Sequence, residues 1–256
     1  MNRRKFIKNS AVLAAGAGLG LDQIELAAAE SAGNGIEGDG GSAGGTSNLI
    51  TSAPMLQNYA CESVGVAFSV SDLANGYVLV ADNPGMENPR KIKCGGYRVT
   101  DMNDRVMLVR VTGLEPATRY WYRIGADRIS YKGGYAMSIT GNEESSEVYS
   151  FVTAGTGAGS SFCVINDIHE DFRTLSALVD RIEVLDPSCV INNGDFSNTQ
   201  ETIESQIELF LNPDISRKDY AARRAYLLCP GNHDSRGLAN RHLERVWMFR
   251  QPEERL

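Results

Sequence analysis

The sequence predicts an all-β sandwich followed by an α/β layer in which short strands alternate with helices. From about Leu49 to Thr153 short apolar runs alternate with turn signals, and no helical periodicity intervenes. A Gly/Ser-rich hinge follows over residues 155–161. Beyond it, short apolar runs are separated by segments with apolar residues at helical spacing, a pattern that implies right-handed crossovers and a mostly parallel sheet.

The first 29 residues read as an export signal rather than a structural element. Asn2-Arg3-Arg4-Lys5-Phe6-Ile7-Lys8 precedes a weakly apolar run from Ala11 to Leu21, and Ala27-Ala28-Ala29 offers a cleavage region. The paired Arg3 and Arg4 with Phe6 and Ile7 behind them resemble the twin-arginine signal, whose pathway carries folded proteins to the periplasm or beyond. An ordinary secretory signal and a single anchoring helix are the alternatives, but the apolar run is roughly ten residues long where a span needs about twenty. No stable membrane span is therefore expected once the signal is removed. Residues 30–48 are dominated by Gly, Ser, Ala and Asn and read as a flexible linker.

Over residues 49–154 the strand runs are Val64 to Val70, Gly76 to Ala81, Arg105 to Val111, Tyr120 to Ile124 and Val148 to Val152. The stretch Leu114-Glu115-Pro116-Ala117-Thr118-Arg119-Tyr120 resembles the Leu-x-Pro-x-Thr-x-Tyr turn of fibronectin type III domains. The resemblance implies that Tyr120 ties a corner of the sandwich to the backbone through its hydroxyl. Over residues 161–256 the strands are Phe162 to Ile165, Cys189 to Ile191 and Ala225 to Cys229, with Leu175, Leu178, Val179 and Ile182, then Ile203, Ile207, Phe210 and Leu211, at helical spacing between them. The formal net charge of −7 argues against a non-specific nucleic-acid partner, which would favour a basic face. Of the five cysteines, Cys163, Cys189 and Cys229 read as small buried hydrophobes, and a Cys61–Cys94 disulfide stays open.

Each strand of the second region ends in a loop with metal-type ligands: Asp167-Ile168-His169, then Gly194-Asp195, then Gly231-Asn232-His233-Asp234. The carboxyl ends of parallel strands converge on one crevice, so these loops are expected to meet. Carboxylates with imidazoles suit first-row ions and Zn. Asp167 and Asp195 side by side would repel without a cation between them. Two of the chain's three histidines fall in these motifs; His242 reads as a surface or helix-packing residue.

In this order and at these intervals the motifs resemble the calcineurin-like metallophosphoesterase family, and with the fibronectin-like region before them they are similar to purple acid phosphatases. The resemblance implies Asp167 and His169 as ligands of one metal, Asp195 as the bridging carboxylate and Asn232 as a ligand of a second. It further implies His233 facing the phosphoryl group, with Asp234 hydrogen-bonded behind it to set its tautomer. The activity implied is hydrolysis of a small-molecule or surface phosphate ester by a hydroxide activated between two metal ions, Fe, Zn or Mn. Asn198 stands where purple acid phosphatases carry a metal-binding tyrosine, and His169 stands where they have glycine, so the site reads as the broader phosphoesterase type. The family's remaining ligands, a lone His and a Gly-His-x-His motif, are expected beyond Leu256, which would leave both coordination shells partial in this chain. A non-catalytic exported binding module with a decayed phosphoesterase half is the alternative.

Overall fold

The computed structural model describes residues 48–96, 98–155 and 160–249. The expected signal over residues 1–29 and all but the last residue of the expected linker lie outside them. The described residues belong to one compact unit, Ser47–Leu256.

Two antiparallel sheets open the chain. One is ordered β1–β2–β5, from β1 (Met55–Gln57), β2 (Ser63–Ser69) and β5 (Val106–Thr112). The other contains β3 (Ala74–Ala81), β4 (Arg90–Lys93), β6 (Arg119–Tyr131), β7 (Met137–Glu144) and β8 (Tyr149–Val152), with β6 pairing β3, β7 and β8. Val64, Val66 and Phe68 of β2 join Val78, Val80, Tyr122 and Ile124 of the second sheet in a single apolar core. The Tyr120 hydroxyl accepts the Glu115 backbone N–H at 2.9 Å, the corner contact that the Leu-x-Pro-x-Thr-x-Tyr stretch leads one to expect. β4 and β7 escaped the sequence reading because they are polar and mostly exposed. β6 runs to Tyr131 because its second half pairs with β7 in a hairpin.

Strand β2 shows how a pattern of large and small residues serves two layers. It is buried at every position, and its side chains alternate between Val or Phe on one face and Ser, Gly or Ala on the other. The large set fills the core between the sheets, whereas Ala67 joins Met55 and Val106 in the second core. A Cβ on Gly65 would stand 2.8 Å from Met248 Sδ, so the small face is what admits the following layer.

The second layer is a parallel sheet ordered β11–β10–β9, from β9 (Phe162–Ile165), β10 (Cys189–Asn192) and β11 (Ala225–Leu228). Helix α1 (Phe172–Leu185) connects the first two. Its N-terminus is capped by Asp171, which accepts from the Arg173 and Thr174 amides, and it ends at Asp186 in the left-handed region. Leu175, Val179 and Ile182 bury one stripe of the helix in the same core as Ile165 and Val190. A short helix α2 (Ile203–Gln206) runs into a π-helical turn, Ile207–Leu211, that buries Leu209, Phe210 and Leu211. Val164 and Leu227, on the opposite face of the sheet, stay 50% and 36% exposed. The cysteine expectation needs correction: Cys163 and Cys189 are half-buried, Cys229 is exposed past the end of β11, and Cys61 and Cys94 are free thiols.

The hinge seen in the sequence is crossed in space by shared side chains. Ala222 and Ala225 pack into the apolar core shared by the two antiparallel sheets, and the buried Tyr122 hydroxyl donates to the Ala222 carbonyl at 2.7 Å. Leu56 N–H donates to Ala221 O, while Gln57 donates to Val246 O and accepts from Met248 N–H. These bonds hold β1 and β6 against the layer that carries the ligand loops.

Candidate metal centre

The parallel register places the three ligand loops at one edge of the sheet. Ile165, Asn192 and Leu228 are partners across β9, β10 and β11, so Asp167, Asp195 and the Gly231–Asp234 turn follow at similar depth. The first two loops are then laced together: Asp167 N–H donates to Gly194 O, His169 N–H to Asp195 O and Glu170 N–H to Phe196 O, each at 3.0 Å. The lacing holds non-glycine residues in the left-handed region, with φ of 56° at Asp167, 51° at His169, 63° at Glu170 and 53° at Asp195. Such conformations cost energy at each residue and persist where surrounding contacts over-determine them.

The third loop is locked to the second by close glycines. A Cβ on Gly194, whose φ is 89°, would lie 2.8 Å from Gly231 Cα, and one on Gly231 would lie 2.3 Å from Asp195 Oδ1. Glycine at both positions therefore lets Asp195 Oδ1 reach the His233 backbone N–H at 2.8 Å. These two glycines account physically for the Gly-Asp and Gly-Asn-His pairs of the motifs.

The side chains meet as a cluster. One donor atom each from His169, Asp195 and His233 lie within 4.8 Å of one another, all on half-buried residues. The two imidazoles pack edge to face with centroids 4.5 Å apart. Asp167, exposed rather than buried, sits at the rim with Oδ1 3.7 Å from His169 Nε2. With Asn232 turned so that both ends of its amide are satisfied, the nitrogen donates to Asp195 Oδ2 at 3.2 Å and the oxygen accepts from Arg236 at 3.1 Å. The donor set is carboxylate, imidazole and amide, which fits Zn, Fe or Mn. The 3.7 Å gap between Asp167 and His169 is one that two donors each about 2.1 Å from a common ion can span.

One expectation changes. Asp234 does not stand behind His233. Its carboxylate, 1% exposed, accepts from Ser197 N–H and Ser197 Oγ through Oδ1 and from Gly231 N–H through Oδ2, each at 2.9 Å. It braces the second loop against the third, and its two oxygens are occupied there. His233, expected to face the phosphoryl group, has a ring nitrogen within 4.8 Å of donor atoms of His169 and Asp195. Its Nδ1 faces the Arg236 guanidinium at 3.0 Å and the Asn198 carbonyl at 3.4 Å. His242 is on a 3-10 segment, partly exposed and beside Glu244, away from the cluster's contacts.

Sequence reasoning missed Arg236, Glu170 and Ser197. Arg236 follows His233 by three residues, and the turn bond from its N–H to His233 O returns its side chain to the loop. Asn198, noted only for the tyrosine it replaces, lies 3.0 Å from His169 Nδ1 through its Oδ1. The two positions that depart from the purple acid phosphatase pattern therefore touch.

The Calcineurin-like phosphoesterase family matches residues 160–254. No curated protein matches the chain. Among solved structures, a purple acid phosphatase from yellow lupin (Lupinus luteus) seeds superposes with a TM-score of 0.55 at 16% identity, over 78% of this chain and 41% of that one. The structure of PhoD is similar at a TM-score of 0.48 and 13% identity, over 76% of this chain and 41% of that one. The chain thus spans less than half the length of the structures it resembles. Residues 160–254 thus match the Calcineurin-like phosphoesterase family, in a chain that shares its fold with a purple acid phosphatase.

Proposed function

We propose that this protein is an exported, metal-dependent hydrolase of phosphate esters. The observation that carries the proposal is the convergence of His169, Asp195 and His233 at the carboxyl ends of three parallel strands, with one side-chain nitrogen or oxygen of each within 4.8 Å of the others. Asp167 and His169 would hold one metal ion, Asp195 would lie between two, and Asn232 would serve the second. An ion beside Asp195 favours turning the Asn232 amide with its oxygen inward, since its N–H end carries a partial charge of the ion's sign. Metal ions in such a site neutralise phosphoryl charge and lower the pKa of water.

The chain's own groups do the rest. Asp195 holds the third loop in place through the His233 amide, so the position of the carboxylate and that of the imidazole are not independent. A guanidinium only donates, so Arg236 at 3.0 Å makes His233 Nδ1 an acceptor and outweighs the 3.4 Å approach of the Asn198 carbonyl. The proton of the neutral ring is then on Nε2, the atom free to donate to a phosphoryl or leaving oxygen. Arg236 itself adds positive charge beside that atom.

Asp195→Asn tests the site. We expect the full chain to bind Zn or Mn by isothermal titration and the variant to lose that binding, together with any hydrolysis of p-nitrophenyl phosphate or its bis-ester. Undiminished metal binding by Asp195→Asn would remove the proposal. Export belongs to the same proposal: the twin-arginine reading of residues 1–29 requires that changing Arg3 and Arg4 together to Lys blocks it.

A further inference from the structure

We infer that Asn198, braced by Glu170, is a positioning residue that holds His169 in the one neutral tautomer whose Nε2 lone pair faces Asp167. The inference rests on the reading of Asp167 and His169 as metal donors given above. It is carried by three contacts of a single amide.

The orientation of the Asn198 amide is determined by its neighbours. Its Nδ2 lies 2.9 Å from the His169 carbonyl oxygen and 3.2 Å from Glu170 Oε2, and both of these can only accept. Nδ2 is therefore the donor end, and Oδ1 is the end that lies 3.0 Å from His169 Nδ1. An amide oxygen cannot donate, so Nδ1 must carry the proton. In a neutral imidazole Nε2 is then bare. That atom lies 3.7 Å from Asp167 Oδ1, too far for a hydrogen bond and close enough for two electron-rich atoms to repel. The pair becomes favourable with a cation between them.

Glu170 makes this amide rigid. Its Oε1 accepts from the Asn198 backbone N–H at 2.7 Å and from Gln200 Nε2 at 2.6 Å, while Oε2 takes Asn198 Nδ2. Gln200 is buried, and its own backbone accepts from Ala239 and donates to Arg236 O. The chain of contacts therefore runs from the third loop through Gln200 and Glu170 to Asn198, and ends on the imidazole. A hydrogen-bonded partner on the far nitrogen is how ligating histidines are commonly held in one tautomer and ring angle.

The test is made first on the metal-free protein. Long-range proton–nitrogen NMR of a histidine-labelled chain should show His169 protonated on Nδ1 in the wild type. Asn198→Leu should release it to the Nε2–H form or a mixture. Zn affinity by calorimetry should fall roughly 10- to 100-fold in Asn198→Leu. If Asn198→Leu does not fold by circular dichroism, Glu170→Gln provides the same readouts through the weakened brace. An Nε2–H tautomer in the wild type, or an unchanged tautomer and Zn affinity in Asn198→Leu, would overturn the inference. His169→Ala separates the two claims. Wild-type Zn affinity in that variant would remove the metal-site reading, whereas loss of Zn there with no effect of Asn198→Leu removes only the positioning role.

Discussion

Gly231 lies so close to Asp195 that a Cβ on it would stand 2.3 Å from the carboxylate Oδ1. The contact joins the loop after β11 to the loop after β10 at the atom that also accepts the His233 amide. Gly231→Ala should push these loops apart and cost about 1–3 kcal/mol, as overpacking does. It should also abolish Zn binding. Chemical denaturation with a parallel metal titration checks both, and a variant that binds Zn normally would show that the closeness of the two loops is not needed.

Asp234 is buried with both oxygens committed to Ser197 and Gly231. Asp234→Ala leaves these donors unpaired, and we expect a loss of about 2–4 kcal/mol in folding stability. Asp234→Asn should be intermediate, since one end of its amide would confront the Gly231 N–H as donor against donor. Urea unfolding of the three proteins measures the ranking. A stability change below about 0.5 kcal/mol, the size of an ordinary surface substitution, would contradict the bracing role.

Tyr122 donates from the core of the two antiparallel sheets to the Ala222 carbonyl of the second layer. Tyr122→Phe should cost about 1–2 kcal/mol by leaving that carbonyl unpaired. Because Met55, Ala67 and Val106 share a core with the α/β layer, wild type and variant should each unfold in one transition. Two separated calorimetric transitions would mean that residues 49–154 and 161–256 fold independently.

The sheet formed around β6 has an acid-sensitive element. Burial raises the Asp127 carboxyl pKa, but the Asn142 amide and the Lys93 ammonium, both hydrogen-bonded to it, and the charge of Lys91 outweigh burial and hold it below the usual carboxylate value. A depressed carboxylate pKa adds stability above the unfolded-state value, and that stability is lost as pH falls through the folded-state value. Asn142→Leu should therefore reduce the stability difference between pH 6 and the acid range below about pH 4. An unchanged acid limb in pH-dependent denaturation would show the pair to be without effect.

What the sequence by itself determined is local chemistry and local periodicity. The three ligand loops, the helices between them, the Tyr120 corner and most strands were legible because each depends on spacing within a short stretch. The ligands could be expected to converge because parallel strands end on one edge. Which groups touch was decided by tertiary structure alone. Asp234 adjoins His233 in the chain, yet its carboxylate turns to Ser197, because a buried charge goes where backbone donors are available. Asn198 and His169 are 29 residues apart and became partners only when left-handed turns laced the first two loops together. The two halves read as separate patterns, and only packing showed that small residues on β2 make one face of the second layer's core. Residue types and periods are properties of neighbours along the chain, whereas hydrogen-bond partners and shared cores depend on distances that exist only after folding.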